Sequence, residues 1–171
     1  MKCKFLFLCF LMVITLLPAC SANETTEQGY SFYYCKSEYQ YGSHSSVVTA
    51  ENFVPVETNN PESLVEAYLN GPISDELVSP FPAGTKLKSM QIGADQVQII
   101  LTSEFASLDR IDLTIACACI TLTIQNITDR TMVEISADNE LLNNQKSIIF
   151  DATSLALTDL ITSQDPTVPP K

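Results

Sequence analysis

The sequence has little positive charge. Its 171 residues include nine Lys and Arg against twenty Asp and Glu, which gives a formal net charge of −11 at pH 7. A surface with this excess of carboxylates repels phosphate backbones and anionic lipid head groups, because like charges cost free energy wherever salt does not screen them. The composition therefore excludes nucleic acid as a partner.

Histidine and closely spaced cysteine pairs are also scarce. The chain has one histidine, His44, and no Cys-x-x-Cys motif, so a metal site is not expected. His44 lies in a short polar turn, Gly42 to Ser46, without a flanking nucleophile motif, which argues against a Ser-His-Asp hydrolase. The chain also lacks a glycine-rich phosphate loop. We therefore expect no cofactor.

The N-terminus carries the pattern of a bacterial lipoprotein signal. Lys2 and Lys4 precede an apolar run from Phe5 to Leu16, which has the length of a signal-peptide core and is too short for a spanning helix. The following Leu17-Pro18-Ala19-Cys20 resembles a lipobox, in which the cysteine is acylated and the chain is cut before it. This interpretation predicts a lipid on Cys20 and a position on the extracytoplasmic face of the cell membrane.

An ordinary signal-peptidase site at Cys20-Ser21-Ala22, which would release a soluble secreted protein, is the alternative. With residues 1–19 removed, 152 residues remain (171 − 19), enough for one domain with short tails. We predict a signal peptide at 1–19, a polar tether at 20–29 and a folded domain at 30–150. We expect residues 151–171 to form a C-terminal extension that ends in a proline-rich, disordered tail.

Hydrophobic periodicity and turn residues predict strands and two helices within this domain. An Asn-Asn-Pro-Glu start at residues 59–62 and a Gly71-Pro72 stop enclose the first helix. Residues 109–126 fit both a strand and a helix pattern, and their length favours a helix that is nearly buried all round. Strands are expected at residues 30–41, 47–56, 85–92, 96–102 and 132–136, with 147–150 as a further partner.

An aromatic row occupies the first predicted strand. The segment from Tyr30 to Tyr41 holds five of the six tyrosines and Phe32, and alternation places Tyr30, Phe32 and Tyr34 on one face. Such a row could stack on the sugar rings of peptidoglycan. The simpler alternative is a central strand covered on both faces. The candidate binding residues are Tyr30, Phe32, Tyr34, Tyr39 and Tyr41.

Three cysteines remain in the domain if Cys20 is acylated. They are Cys35, Cys117 and Cys119, an odd number that allows at most one internal disulfide. On a helix, Cys117 and Cys119 point to nearly opposite faces and cannot join each other. A bridge from Cys35 to either one stays open, and unpaired buried cysteine is the expected state.

Residues from about Tyr30 to Leu142 resemble the GerMN domain of sporulation and germination lipoproteins. The points of contact are the helix ending at Leu69-Asn70-Gly71-Pro72, the loop Ser79 to Thr85 with its Pro-x-Gly-Thr core, the hairpin leading to Leu101-Thr102-Ser103-Glu104-Phe105, the long helix and the closing strand. The expected fold is α+β, with a small mixed or antiparallel sheet of about five strands packed with two helices. The resemblance implies a role in sporulation, germination or envelope assembly.

We therefore expect a membrane-anchored envelope lipoprotein whose non-catalytic domain binds another envelope component, a protein or peptidoglycan. The alternative is a peptidoglycan hydrolase, or a regulator of one, that uses a pair of carboxylates. Its candidate acids are Glu57, Glu62, Glu66, Asp75, Glu76 and Glu104. Their simpler interpretation is a solvated acidic surface.

Overall fold

Seven strands form two sheets in the described part of the chain, residues 29–38, 47–56 and 60–155 of a computed structural model. The strands are β1 (Tyr30–Lys36), β2 (Val48–Phe53), β3 (Leu77–Val78), β4 (Leu87–Ile92), β5 (Gln96–Leu101), β6 (Met132–Ala137) and β7 (Ile148–Asp151). The predicted α+β class is confirmed. The strands are divided between two sheets, one antiparallel and one mixed.

The antiparallel sheet has the order β2-β1-β3, so the aromatic strand is central. β1 pairs along its length with β2, from Tyr30 opposite Phe53 to Cys35 opposite Val48, as the sequence predicts. β3 was not predicted, because it has two residues and lies in a segment whose prolines indicate a loop. It pairs only with Cys35 and Lys36.

The mixed sheet has the order β4-β5-β6-β7. The predicted β4–β5 hairpin is confirmed, and β7 is the antiparallel partner expected for β6. β5 and β6 run parallel, and parallel neighbours require a long crossover connection. That connection contains a 3-10 helix, Ser103–Ser107, followed by a long α-helix.

The first helix, α1 (Pro61–Leu69), begins and ends where its capping residues predict. The side chain of Asn60 accepts a hydrogen bond from the Glu62 amide at 3.2 Å, and Pro61 occupies the first turn, where its missing N–H costs nothing. Gly71 follows the helix with φ 100°, a conformation that disfavours any side chain. Leu64 and Tyr68 lie on one face of α1 and are buried.

The crossover helix α2 (Arg110–Thr128) confirms the helical interpretation of residues 109–126. The predicted near-complete burial is wrong, because eight of its nineteen residues are buried and its first turn, with Ile111, is exposed. By length and composition α2 could cross a membrane, yet its buried side chains belong to the domain core.

The core lies between α2 and the inner face of the mixed sheet. Alternation along β5 buries Val97, Ile99 and Leu101, and the parallel register sets Val133 and Ile135 of β6 beside them. Leu113, Ile120 and Ile124 of α2 complete this layer. Each such side chain contributes about 1.5–3 kcal/mol through burial. One side of the sheet is thus covered by a helix.

Candidate functional site

The aromatic row of β1 does not form an open binding surface. Phe32 and Tyr34 each expose 1% of their surface, and Tyr30 is half-buried against the core. Rings in this position cannot stack on a sugar while the sheet is intact, so Phe32 and Tyr34 are corrected to core residues. The remaining predicted positions Cys20, Tyr39, Tyr41, His44 and Glu57 lie outside the described residues.

A chain of aromatic contacts explains this burial. The ring of Phe32 stacks on Phe53 of β2 at 4.6 Å between centroids and meets Tyr68 of α1 edge-on at 5.4 Å. Tyr68 in turn contacts Phe81 at 5.2 Å, and Phe81 lies 6.4 Å from Phe105. Aromatic pairs at these distances contribute about 0.5–1.5 kcal/mol beyond area burial. The row therefore joins the antiparallel sheet to α1 and to the loop at residues 79–85, which we call the proline loop.

The buried tyrosine hydroxyls donate hydrogen bonds to backbone carbonyl groups inside the protein. Tyr34 donates to the Tyr68 carbonyl at 2.8 Å, and the Tyr68 hydroxyl donates to the Tyr33 carbonyl at 2.8 Å. Burial raises the pKa of both phenols above the ordinary value of 10.0. Both groups therefore stay neutral at physiological pH and act in structure.

β3 pairs with only the last two residues of β1, and side chains of α2 occupy the rest of that edge. The Ser31 amide donates to Asn126 Oδ1 at 2.6 Å, and the Tyr33 amide donates to Thr123 Oγ1 at 3.0 Å. Unpaired amides on a strand edge attract further strands, and here both are occupied. A partner strand cannot add at these positions.

The mixed sheet leaves its outer face, opposite α2, uncovered by any described residue. Register and alternation bring ten side chains onto this outer face: Ser89, Gln91, Gln96, Gln98, Ile100, Met132, Glu134, Ser136, Ile149 and Asp151. Glu134 lies at its centre and accepts hydrogen bonds from Gln98 Nε2 and Ser147 Oγ, both at 2.8 Å. A depression of about 210 Å³ lies over this face.

Exposed aliphatic side chains interrupt the polar outer face. Ile149 exposes 55% of its surface, Ile100 39% and Met132 37%. Of the ten outer-face residues, Glu134 and Asp151 are charged, and Asp151 lies at the end of β7, away from the centre of the face. Sequence reasoning missed this surface because its residues share a face only once β5 and β6 pair in parallel. The alternation of Gln96, Gln98 and Ile100 with apolar residues was the one sequence pattern that indicated an exposed face on this strand.

A second depression lies between β1, β3, the proline loop and α2. It has a volume of about 350 Å³ and is lined by Cys35, Val78, Ser79, Pro80, Phe81, Pro82, Leu108, Asp112 and Ile115. The Ser79 hydroxyl accepts a hydrogen bond from the Phe81 amide at 3.2 Å, which holds the start of the loop. Gly84, next to the end of the loop, has φ 91°, a left-handed angle that glycine adopts without strain. We call this depression the proline groove.

The three described cysteines are unpaired, and Cys117 and Cys119 are buried as expected. Burial raises the pKa of the Cys117 thiol to about 12. Cys35 is half-buried and lines the proline groove. Hydrogen bonding to the Cys119 thiol lowers the pKa of Cys35, against the opposing effects of burial and of Asp112, and raises the pKa of Cys119.

The candidate acids lie on the surface. Glu62, Glu66, Asp75, Glu76 and Glu104 are all exposed. A hydrogen bond from Thr102 is the main cause that lowers the pKa of Glu104, which keeps this carboxylate ionised and unable to act as a proton donor at neutral pH. Among the residues that the structure describes, no three His, Cys, Asp or Glu side chains are grouped to hold a metal.

The sequence matches the family described as Germane: Sporulation and spore germination over residues 31–143. Among curated proteins, none matches the chain. The fold is similar to the first GerMN domain of the sporulation protein GerM from Bacillus subtilis, with a TM-score of 0.54 and 16% identity over 72% of this chain and 95% of that one.

Two further solved structures are similar. The tandem GerMN domains of the same Bacillus subtilis protein give a TM-score of 0.51 at 16% identity, over 78% of this chain and 48% of that one. A putative lipoprotein from Clostridium perfringens gives a TM-score of 0.48 at 20% identity, over 74% of this chain and 89% of that one. The matches to the Bacillus subtilis domains confirm the fold.

Proposed function

The chain belongs to the Germane family of sporulation and spore germination domains, and from this membership we propose that it is a non-catalytic envelope lipoprotein that binds another envelope protein during sporulation or germination. The N-terminal pattern supports anchoring through Cys20 on the extracytoplasmic face. The tether predicted at 20–29 reaches about 30 Å when extended, which would keep the domain near the membrane.

The observation that carries the proposal is the outer face of the mixed sheet. The centres of protein interfaces are depleted in charge and combine apolar contact with hydrogen-bonding groups. The centre of the outer face has this composition, because Ile100, Ile149 and Met132 lie among amides and hydroxyls, with the hydrogen-bonded Glu134 in the middle and Asp151 at the end of β7. The rest of the surface is strongly acidic and would repel acidic partners.

A protein partner is favoured over peptidoglycan. Sugar rings are commonly held by exposed aromatic side chains, and Phe32 and Tyr34 are buried. The hydrolase alternative is weakened by Glu104, whose exposed carboxylate is held in the ionised form that cannot protonate a leaving group.

The proposal is tested by crosslinking in the intact host. A photoreactive residue replaces Ile149, which is 55% exposed on the outer face, or Ile111, which is 57% exposed on α2. We expect a discrete protein adduct from position 149 and none from position 111. In the same host, Ile149→Lys should impair binding while Ile111→Lys leaves it intact.

Other outcomes would overturn the proposal. Adducts of equal yield at both positions would show that the outer face is not selective, and adducts to glycan fragments would assign peptidoglycan as the ligand. Release of soluble fragments from peptidoglycan by the wild-type protein, abolished by Glu104→Gln, would establish the hydrolase instead.

A further inference from the structure

Two cysteines from distant parts of the sequence meet beside the proline groove. Cys35 lies near the end of β1 and Cys119 lies in the middle of α2. The hydrogen bonds that join β1 to α2 bring these two residues to adjacent positions. Cys117, two residues away on the helix, points to a different side and is fully buried in the hydrophobic core.

The register between β1 and α2 brings these thiols together. Ser31 bonds to Asn126 and Tyr33 bonds to Thr123, so two steps along the strand correspond to about one turn of the helix in the opposite direction. Two more residues along the strand from Tyr33 reach Cys35, and about one more turn along the helix from Thr123 reaches Cys119. Four strand residues span about 13 Å and seven helix residues about 10.5 Å, which keeps the two series in step.

The two thiols differ in access. Cys35 is half-buried and lines the proline groove of about 350 Å³, so a small molecule can approach its sulfur. Cys119 exposes none of its surface and does not line the groove. Such an arrangement, with an accessible thiol backed by a second thiol, is that of an attacking and a resolving cysteine.

We propose that Cys35 and Cys119 form a dithiol that small disulfides oxidise to an internal disulfide through the proline groove. Cys35 attacks one sulfur of the incoming disulfide as a thiolate, which forms a mixed disulfide and releases one thiolate. Cys119 then gives up its proton and attacks the Cys35 sulfur, which releases the second thiolate. The two protein thiols are oxidised, and the small disulfide is reduced to two thiols.

The electrostatics of the groove support this order of attack. The hydrogen bond from Cys119 lowers the pKa of Cys35, and burial together with the same bond raises that of Cys119. Thiolates are the nucleophiles in disulfide exchange, so Cys35 reacts first. Asp112 also lines the groove and disfavours anionic reagents. Cystamine, a small cationic disulfide, is therefore a better probe than oxidised glutathione.

The experiment uses purified full-length protein, reduced and then treated with cystamine. Chymotryptic digestion without reductant should yield one linked pair of peptides, the first containing Cys35 and the second containing Cys117 and Cys119. Fragmentation should place the bond on Cys119. The oxidised protein should melt higher than the reduced protein by about 5 °C or more, because the bond closes a long loop in the unfolded chain.

Variants separate the roles of the three cysteines. Cys117→Ser should leave the linked pair unchanged. Cys119→Ser should stop the reaction at a stable cysteamine adduct on Cys35, and Cys119→Ala serves the same purpose should the serine variant fail to fold. Full alkylation of Cys35 and Cys119 by iodoacetamide after cystamine treatment, or a bond to Cys117, would overturn the proposal.

Discussion

At the scale of single residues, Tyr34 of the predicted binding row is structural, and so is Tyr68 of α1. The Tyr68 hydroxyl reaches the backbone of β1 and the Tyr34 hydroxyl reaches the end of α1. Each bond joins two elements that sequence separates. The phenol groups therefore contribute to stability and are unavailable to an external ligand.

The substitution Tyr68→Phe should destabilise the protein by about 1–2 kcal/mol, because it leaves the Tyr33 carbonyl without its donor. Urea unfolding followed by circular dichroism measures the loss. Tyr33→Phe is the matched control, since no hydrogen bond is found for its hydroxyl among the described residues, and its effect should stay within about 0.5 kcal/mol. Equal losses in the two variants would contradict the assigned role.

The raised pKa values predict a loss of stability at alkaline pH. Tyr34 and Tyr68 keep their protons in the folded protein above pH 10.0, whereas the unfolded chain releases them there. The unfolding free energy should therefore be independent of these groups below pH 10 and should fall as the pH rises above it. The buried thiols add to this fall from pH 9.0 upward.

Denaturant titrations between pH 8 and 11 check this slope. Tyr34→Phe should flatten it above pH 10, since one group that must stay neutral is removed, and Tyr33→Phe should leave it unchanged. A Tyr34→Phe slope as steep as that of the wild type would show that Tyr34 ionises without unfolding.

At the scale of elements, the two helices end in different ways. α1 ends at Asn70, which has right-handed angles with φ −70°, and Gly71 supplies the left-handed residue. α2 has no glycine at its end, so Asp129 adopts the left-handed conformation with φ 58°. A side chain is strained there, and a carboxylate next to the negative end of the helix dipole adds repulsion.

The substitution Asp129→Gly should therefore stabilise the protein by about 0.5–1 kcal/mol. Thermal and urea unfolding provide the measurement. Asn70→Gly is the control, because Asn70 has unstrained helical angles and glycine there should destabilise the protein through added freedom of the unfolded chain. A destabilised Asp129→Gly variant would show that its carboxylate has a stabilising partner.

At the scale of the whole molecule, the excess of negative charge is poorly compensated. The described residues contain one ion pair, between Lys88 Nζ and Asp138 Oδ2 at 3.4 Å, and both side chains are largely exposed. Mutual repulsion among carboxylates disfavours the compact state, and salt screens it.

The melting temperature should therefore rise by a few degrees between about 10 and 200 mM salt, where the Debye length falls from about 30 Å to below 10 Å. Scanning fluorimetry in NaCl and in tetramethylammonium chloride measures the effect. Equal shifts in both salts are expected from screening, whereas a shift confined to Na⁺ would indicate a bound cation. A melting temperature that falls with salt would contradict the role of repulsion.

Local residue patterns were enough to predict several features of the fold. Asn60, Pro61 and Gly71 mark the ends of α1 because capping depends on neighbouring residues, and the turn at residues 93–95 predicts the β4–β5 hairpin for the same reason. The segment at residues 109–126 is too long for an ordinary strand, so its length correctly predicts a helix. The lipid on Cys20 stays a prediction that the N-terminal pattern alone supports.

The sequence by itself determined the net charge, the caps, the hairpin and which residues share a face of each element. Only the tertiary structure decided which faces are covered. Alternation places Phe32 and Tyr34 on one face of β1, but they are buried because β2 and α1, which come later in the sequence, pack against them. The outer face of the mixed sheet and the meeting of Cys35 with Cys119 also depend on long-range pairing. Periodicity is a local property of the chain, whereas burial depends on which distant segments pack against it.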